Sequence, residues 1–450
     1  MILSVRVFTP PIPLFSASSA LSATSAYNSS FPPLQSKMLW QPSIPDSYHT
    51  LPEPELFARI EARRKQLGNK LLILGHHYQM DAVVQHADFT GDSLKLAQLA
   101  ASVVEERAQQ STPVSHILFC GVHFMAETAD ILTPDSVKVI LPDLSAGCSM
   151  ADMADYEQTV EAWDLIHESL KEQGWTGRII PITYVNSTAA IKAFVGDHGG
   201  ACCTSSNAAQ VFEWAMAGGT EPRADGEDIK VLFLPDQHLG RNTSAAFGID
   251  VETNTCVYDP KKTEQGQPLG GASDKQLYDA ATILWAGHCS VHKLFAPEHC
   301  AQIHEDNKNL KAGEEPVQII VHPECTKEVV DLADLAGSTE FIINTIANAP
   351  PSSRWAVGTE VHLVNRLANK HRDRGVEVNM LSDCQCLCTT MYRINQPHIL
   401  WILDALCGVD TKDGQQVEHN IIAVHPQAQK QAILALNRML AHTAAAQTAP

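Results

Sequence analysis

Two stretches of the chain carry the same reactive residue types at the same spacing. His76 to Ser93, HHYQMDAVVQHADFTGDS, aligns without a gap on His322 to Thr339, HPECTKEVVDLADLAGST. His76 falls on His322, Ala87-Asp88 on Ala333-Asp334, Gly91 on Gly337 and Ser93 on Thr339. An imidazole at one end and a hydroxyl at the other, given twice, equip two facing half-sites to hydrogen-bond and protonate a polar substrate. A shared strand–helix scaffold with chance polar matches is the alternative.

Cysteine supplies a second chemistry. The chain has twelve, spaced unlike a small secreted disulfide framework and in a chain far too long for one. Cys148, Cys289 and the trio Cys384, Cys386 and Cys388 each follow the third strand-like run of a unit. Three converging thiolates would hold either zinc or an iron–sulfur cluster. Zinc with three ligands keeps a position for water and hydrolysis, whereas a four-iron cluster with three protein ligands leaves one iron as a Lewis acid. The Cys384-Gln385-Cys386-Leu387-Cys388 tract does not fit the paired spacing of a zinc ribbon. Cys120, Cys256, Cys300 and Cys407 read as small apolar core residues. Cys202, Cys203 and Cys325 have no strong claim on a site.

The elements that must position these residues are short. Each copy of the repeat follows an apolar run, Leu71–Leu74 and Val317–Val321. A weaker third unit runs from Arg178 to Asn186, through a helical stretch, to Cys203-Thr204-Ser205-Ser206-Asn207. Further apolar runs fall at Ile117–Cys120, Val137–Leu141, Val231–Leu234, Thr282–Trp285, Phe341–Ile343 and Val376–Leu381. Helix-length segments separate them, the pattern of parallel sheets covered on both faces. The expected fold is α/β, with three similar units over residues 50–150, 151–310 and 311–395. Packed around a pseudo-threefold axis, their strand ends would bring one thiolate each to the centre. Ser93, Ser205 and Thr339 are expected where helices begin, as anion sites or as plain caps.

Longer motifs resemble a known family, quinolinate synthase. They are Gly75-His76-His77-Tyr78-Gln79, Gly91-Asp92-Ser93-Leu94, Gly121–Thr128, Ala146-Gly147-Cys148-Ser149, Tyr184-Val185-Asn186 and Phe233–Gly240. Leu284–Cys289, His322-Pro323-Glu324-Cys325, Gly337-Ser338-Thr339-Glu340 and Cys388-Thr389-Thr390-Met391 continue the match, in chain order from about Leu51 to Leu406.

The resemblance implies three pseudo-symmetric three-layer αβα units with short parallel sheets around a central [4Fe–4S] cluster. It implies condensation of iminoaspartate (iminosuccinate) with dihydroxyacetone phosphate to quinolinate, with loss of phosphate and two waters. Cys148, Cys289 and Cys388 would hold the cluster, Cys388 because Met391 completes the family's spacing after the ligand. Substrate contacts are expected from His76, Ser93, Tyr184, Val185, Asn186, Ser205, His322, Pro323, Glu324 and Thr339. Glu324 is the candidate base for tautomerising the condensed imine and Tyr78 a proton relay. His76 and His322 would polarise carbonyls, or bind carboxylate if protonated. Two departures stand out: the family's His-Asn-Tyr-Gln reads His76-His77-Tyr78-Gln79 here, and the last motif offers three cysteines, with Cys384 and Cys386 left as alternative ligands or as a reversibly oxidised pair. An aconitase-like hydro-lyase, a zinc hydrolase and a non-catalytic iron–sulfur scaffold are the competing readings.

The rest of the chain sets context. A net charge of −19 argues against nucleic acid as a partner, so anionic substrates would depend on helix dipoles and a few cations, with Lys293 and Arg241 as weak candidates. Many cysteines without evident pairing point to a reducing, cytoplasmic compartment, and no run reaches the length of a membrane span. Iron–sulfur assembly machinery is the expected partner, with an aspartate oxidase or dehydrogenase as a transient one. Residues 1–45 have Arg6 and Lys37 as their only basic residues and no acid. They read as a disordered extension, too poor in arginine for a transit peptide and too broken by proline for a secretory one, or as sequence upstream of a true start at Met38. Residues 396–450 read as two closing helices with a frayed end from Thr443.

Overall fold

The computed structural model describes residues 41–383 and 386–448, with side chains described as far as 443. Most of the expected N-terminal extension, residues 1–40, lies outside the described residues, as do Cys384 and Gln385. Residues 41–45 are part of the folded body rather than of an extension. The Gln41 amide donates to Asp143 Oδ1 at 2.8 Å, and its oxygen accepts from Leu144 N and Asn420 Nδ2.

Three mostly parallel sheets, flanked by helices, form the α/β scaffold. In the first, Phe89–Gly91 pairs outside Leu71–His76, followed across the sheet by His116–Cys120 and Lys138–Ile140. In the second, Ala201–Cys203 pairs outside Arg178–Tyr184, followed by Ile229–Leu234, Thr282–Trp285 and Thr255–Tyr258. In the third, Leu335–Ala336 pairs outside Val317–Val321, followed by Arg354–Gly358 and Glu377–Met380. Each sheet thus begins with the same arrangement, a short edge strand beside the first strand. All pairs are parallel except Ile421–Ile422, which caps the first sheet antiparallel to Lys138–Ile140. The central strands are buried along most of their length, Leu71–His76 and Ile229–Leu234 completely, because helices cover both faces, which is why they read as apolar runs.

The duplication extends to hydrogen bonds. Leu74 pairs with Phe89 as Ile320 pairs with Leu335, at the offset that aligns His76 with His322. Asp88 Oδ2 accepts from Ile73 N at 2.7 Å, and Asp334 Oδ2 accepts from Ile319 N at the same distance. The matched aspartates are therefore fold residues, tying the turn before the edge strand to the first strand.

One expected strand is wrong. Phe341–Ile343 lies inside the helix Thr339–Asn348, and the strand of that region is Arg354–Gly358. Ile342 and Ile346 are buried while Phe341 is exposed, a helical spacing that a short apolar run conceals. Near the end of the chain, Gln396–Leu406 is buried on nearly every face, and Pro426–Thr448 lies against Ala189–Asp197. The latter approach needs glycine: a Cβ on Gly196 would stand 2.0 Å from the Gln431 carbonyl oxygen. Thr443, expected to be frayed, accepts from Asn207 Nδ2 at 2.7 Å. No helix among the described residues is long and apolar enough to cross a membrane.

Candidate active site and metal centre

The carboxyl ends of all three sheets contribute to one cavity. Its walls include His76, Tyr78, Ser93, Cys148, Tyr184, Val185, Asn186, Ser205, Cys289, His322, Glu324, Thr339 and Cys388. Every residue expected at the site from sequence lines this cavity except Pro323, whose carbonyl instead accepts from Asn242 Nδ2. Lys293 and Arg241 do not line it, and no lysine or arginine is among the lining residues.

Donors to any ligand in this cavity therefore come from backbone N–H groups, hydroxyls and imidazole N–H groups rather than from full cations. Ser93 and Thr339 are the first residues of the helices Ser93–Arg107 and Thr339–Asn348. They are not the caps: Asp92 accepts from Lys95 N and Ser338 from Phe341 N, so neither hydroxyl is used in capping; both residues line the cavity, where Thr339 Oγ1 meets the Tyr78 hydroxyl. Ser205 differs from expectation, since it lies in the turn before Ala208–Met216 rather than in its first turn. Helix N-termini offer unpaired N–H groups to anions without bringing a full charge into the cavity.

The two matched histidines are neutral donors. Tyr78 N donates to His76 Nδ1 at 3.1 Å, and Glu324 N lies 3.4 Å from His322 Nδ1 in the equivalent contact. With Nδ1 accepting, the ring proton sits on Nε2. Burial pushes both rings down to about 3, helped by His77 for the first and His292 for the second. Neutral rings of this kind can donate from Nε2 to a carbonyl oxygen.

Glu324 is the most enclosed carboxylate of the cavity. Burial alone would push its carboxyl up, but His292, His322 and the Tyr184 hydroxyl together hold it well below the usual range. His292 Nδ1 stands 2.8 Å from Glu324 Oε2. His292 Nε2 lies 3.2 Å from Thr359 Oγ1, which is 2.9 Å from the Tyr78 hydroxyl, itself 3.1 Å from Thr339 Oγ1. A continuous hydrogen-bonded chain thus joins residues of all three sheets, and it can pass protons between Glu324 and Tyr78. Burial and the Glu324 charge raise both tyrosines, Tyr78 and Tyr184, well above the phenol value, so each stays protonated and can donate.

Three of these groups escaped sequence reasoning. His292 follows Cys289 by three residues, a signal the repeat could not give because the second unit matches it weakly. Thr359 follows the strand Arg354–Gly358, which the sequence reading had misplaced. Asn242, on the helix Gln237–Phe247, donates to the carbonyls of both Pro323 and Cys325 at 2.9 Å, gripping the main chain on either side of Glu324.

The cysteines come one from each sheet. Cys148 follows Lys138–Ile140, Cys289 follows Thr282–Trp285, and Cys388 follows Glu377–Met380. Cys289 is delivered by a turn at Gly287, where a Cβ would meet the Pro235 carbonyl oxygen at 2.3 Å. Burial pushes the Cys148 thiol up to about 12 and raises Cys289 and Cys388, and the thiolate charges oppose one another. Three thiols that cannot ionise alone, beside an apolar wall of Val122, Phe124, Met125, Met150, Val291 and Met391, fit a metal cluster that stabilises thiolates and excludes water. Asn186 lines the cavity, and its Oδ1 is buried with no hydrogen-bond partner, an acceptor left unsatisfied beside the site. Cys386 is buried near Ser382 and is not among the lining residues, and the other described cysteines also lie away from the cavity.

The chain is similar to known proteins along most of its length. Residues 58–441 match the family model described as quinolinate synthetase A protein, NadA. Proteins named quinolinate synthase from Bacillus subtilis and Lysinibacillus sphaericus are each 46% identical over 400 residues. Those alignments cover 89% and 88% of this chain and 96% of each relative. The Streptomyces coelicolor protein of the same name is 47% identical over 390 residues, 86% of this chain and 89% of its own length. The chain belongs to the quinolinate synthetase A protein family.

Proposed function

We propose that the chain makes quinolinate by condensing iminoaspartate with dihydroxyacetone phosphate, releasing phosphate and two waters. The observation that carries this reading is the buried Glu324 carboxylate, held by His292 within the cavity that Cys148, Cys289 and Cys388 also line. A base, neutral donors and a three-thiol metal site are the parts that such a dehydrating condensation requires.

Each residue's role follows from its chemistry. Ser93, Ser205 and Thr339, with the N-termini of their two helices, bind the carboxylates and phosphate. Asn186 and the Val185 main chain orient the amino-bearing substrate. His76 and His322 donate from Nε2 to carbonyl oxygens as negative charge develops there. Glu324 takes the carbon-bound proton whose removal converts the condensed imine to its enamine, and the chain through His292 and Thr359 returns a proton by way of Tyr78. Pro323 bends the main chain so that His322 and Glu324 face different parts of the cavity. The bound [4Fe–4S] cluster, held by Cys148, Cys289 and Cys388, would supply Lewis acidity at its one iron without a protein ligand.

The cytoplasm, an iron–sulfur assembly system as donor of the cluster, and an aspartate oxidase or dehydrogenase as source of the unstable imine belong to the same proposal. It is tested by anaerobic incubation of the chain with both substrates. Quinolinate formation that depends on dihydroxyacetone phosphate is expected. Turnover of a dicarboxylate with no phosphorylated cosubstrate would replace the proposal with a hydro-lyase.

A further inference from the structure

Cys289, His292 and Glu324 bring a sulfur, a ring nitrogen and a carboxylate oxygen within 4.8 Å of one another. Among the described residues no other such group of histidine, cysteine and acidic residues comes together. We propose that this trio is a mononuclear zinc-type site that shares Cys289 with the three-cysteine site, so that a divalent ion and a cluster exclude each other.

The donor set is the first argument. Sulfur, imidazole and carboxylate are the ligands zinc takes, and three of them leave the fourth tetrahedral position open. The spacing is the second. His292 Nδ1 and Glu324 Oε2 are 2.8 Å apart, and two ligands of a tetrahedral zinc ion stand about 3.3 Å apart. A widening of about half an ångström in this pair, with the Cys289 sulfur closing in from within 4.8 Å of it to about 3.5 Å, admits the ion. The third is the outer shell: a metal-binding imidazole hands its other N–H to a fixed acceptor, and His292 Nε2 already lies 3.2 Å from Thr359 Oγ1. His292 and Glu324 are also nearly solvent-free, at 1% and 3% exposure, so an ion between them meets little competition from water.

The protons balance without redox change. The His292 ring proton moves from Nδ1 to Nε2, where Thr359 accepts it. The Cys289 thiol proton leaves to solvent, and zinc takes the vacated sulfur and nitrogen lone pairs. Cys148 and Cys388 are not part of the trio, so the two sites overlap in one thiol only. The exclusion of the cluster rests on the three-cysteine reading above; the zinc site itself rests on geometry alone.

The test uses the full chain, stripped of metal under argon and titrated with zinc chloride. Cobalt chloride serves as a coloured substitute that reports thiolate ligation. One zinc per chain is expected in the wild type, and that zinc should block later uptake of iron and sulfide. Cys388→Ala should keep zinc but lose the cluster, with Cys148→Ser as the second variant should the first misfold. His292→Gln should lose at least about tenfold in zinc affinity yet still take up iron and sulfide, and Thr359→Val should weaken zinc about tenfold. Absence of stoichiometric zinc binding would overturn the proposal. So would zinc lost in Cys388→Ala and kept in His292→Gln, since the ion would then sit on the three thiols. A wild type that binds zinc but never takes up iron and sulfide would instead defeat the cluster reading and leave the zinc site standing.

Discussion

Nδ1 of His292 lies 2.8 Å from Oε2 of Glu324, and both side chains are sealed from solvent. His292 comes from the turn after Thr282–Trp285 and Glu324 from the turn after Val317–Val321, so two sheets must dock before the contact exists. The histidine keeps as an anion a carboxylate that burial would otherwise protonate. Glu324→Gln keeps the shape and removes the base. Quinolinate formation should fall by about 10²- to 10⁴-fold, with a much smaller change in KM for dihydroxyacetone phosphate. Steady-state rates close to wild type would remove Glu324 from the base role.

Asn242 fixes where that carboxylate points. Its amide nitrogen donates to the carbonyls of Pro323 and Cys325, the residues on either side of Glu324. Asn242→Asp is isosteric but presents oxygen to both carbonyls, and each buried carbonyl left unpaired costs about 1–3 kcal/mol. The main chain around Glu324 should shift, lowering kcat by up to about 100-fold while KM changes little. An unchanged kcat in a folded Asn242→Asp variant would show that Glu324 is positioned without it.

His77 ties the same cavity together from another side, more weakly. Its Nε2 lies 3.1 Å from Glu340 Oε1, one residue beyond the Tyr78–Thr339 contact on each chain segment. The pair is partly exposed, at 14% and 26% of the two side chains, and such pairs contribute about 0–1 kcal/mol. His77→Asn, which restores the pattern of the family motif, should therefore change KM by less than about fivefold. A much larger loss would mean that His77 touches substrate.

The buried histidines set an acid limit on stability. His76 and His322 are pushed from 6.5 down to about 3 by burial. Below pH 6.5 the unfolded chain takes up protons that the folded chain refuses, so stability should decline steadily from pH 6.5 towards pH 3. Glu324, held below its usual value of 4.5, adds a loss of the same sign below pH 4.5. Urea midpoints measured across this range should fall with pH, and His322→Asn should flatten the slope. A constant midpoint would contradict neutral burial of both rings.

Much of the fold was legible because parallel strands buried on both faces write themselves as apolar runs. The duplication located His76, His322, Ser93 and Thr339 together, since equivalent strand ends face one cavity. What failed was local ambiguity: Phe341–Ile343 is as apolar as a strand, and only the burial of Ile342 and Ile346 reveals its helical period. His292, Thr359 and Asn242 were illegible for a different reason. Each acts through a contact between units, to Glu324, Tyr78 or the Pro323 carbonyl, and no spacing along the chain encodes such a contact. The aspartates Asp88 and Asp334 carry the opposite lesson, since the same matching that drew attention to site residues also selected two that only hold the fold.

The central claim is that Cys148, Cys289 and Cys388, one from each sheet, hold a single cluster in the cavity of Glu324. Iron and acid-labile sulfide per chain, measured after anaerobic purification of wild type and Cys388→Ala, test it most directly. About four of each in the wild type, lost in the variant, is the predicted result. A cluster retained by Cys388→Ala would move the third ligand to Cys384 or Cys386, and failure of the wild type to take up iron and sulfide even after all zinc has been stripped from it would contradict the account outright.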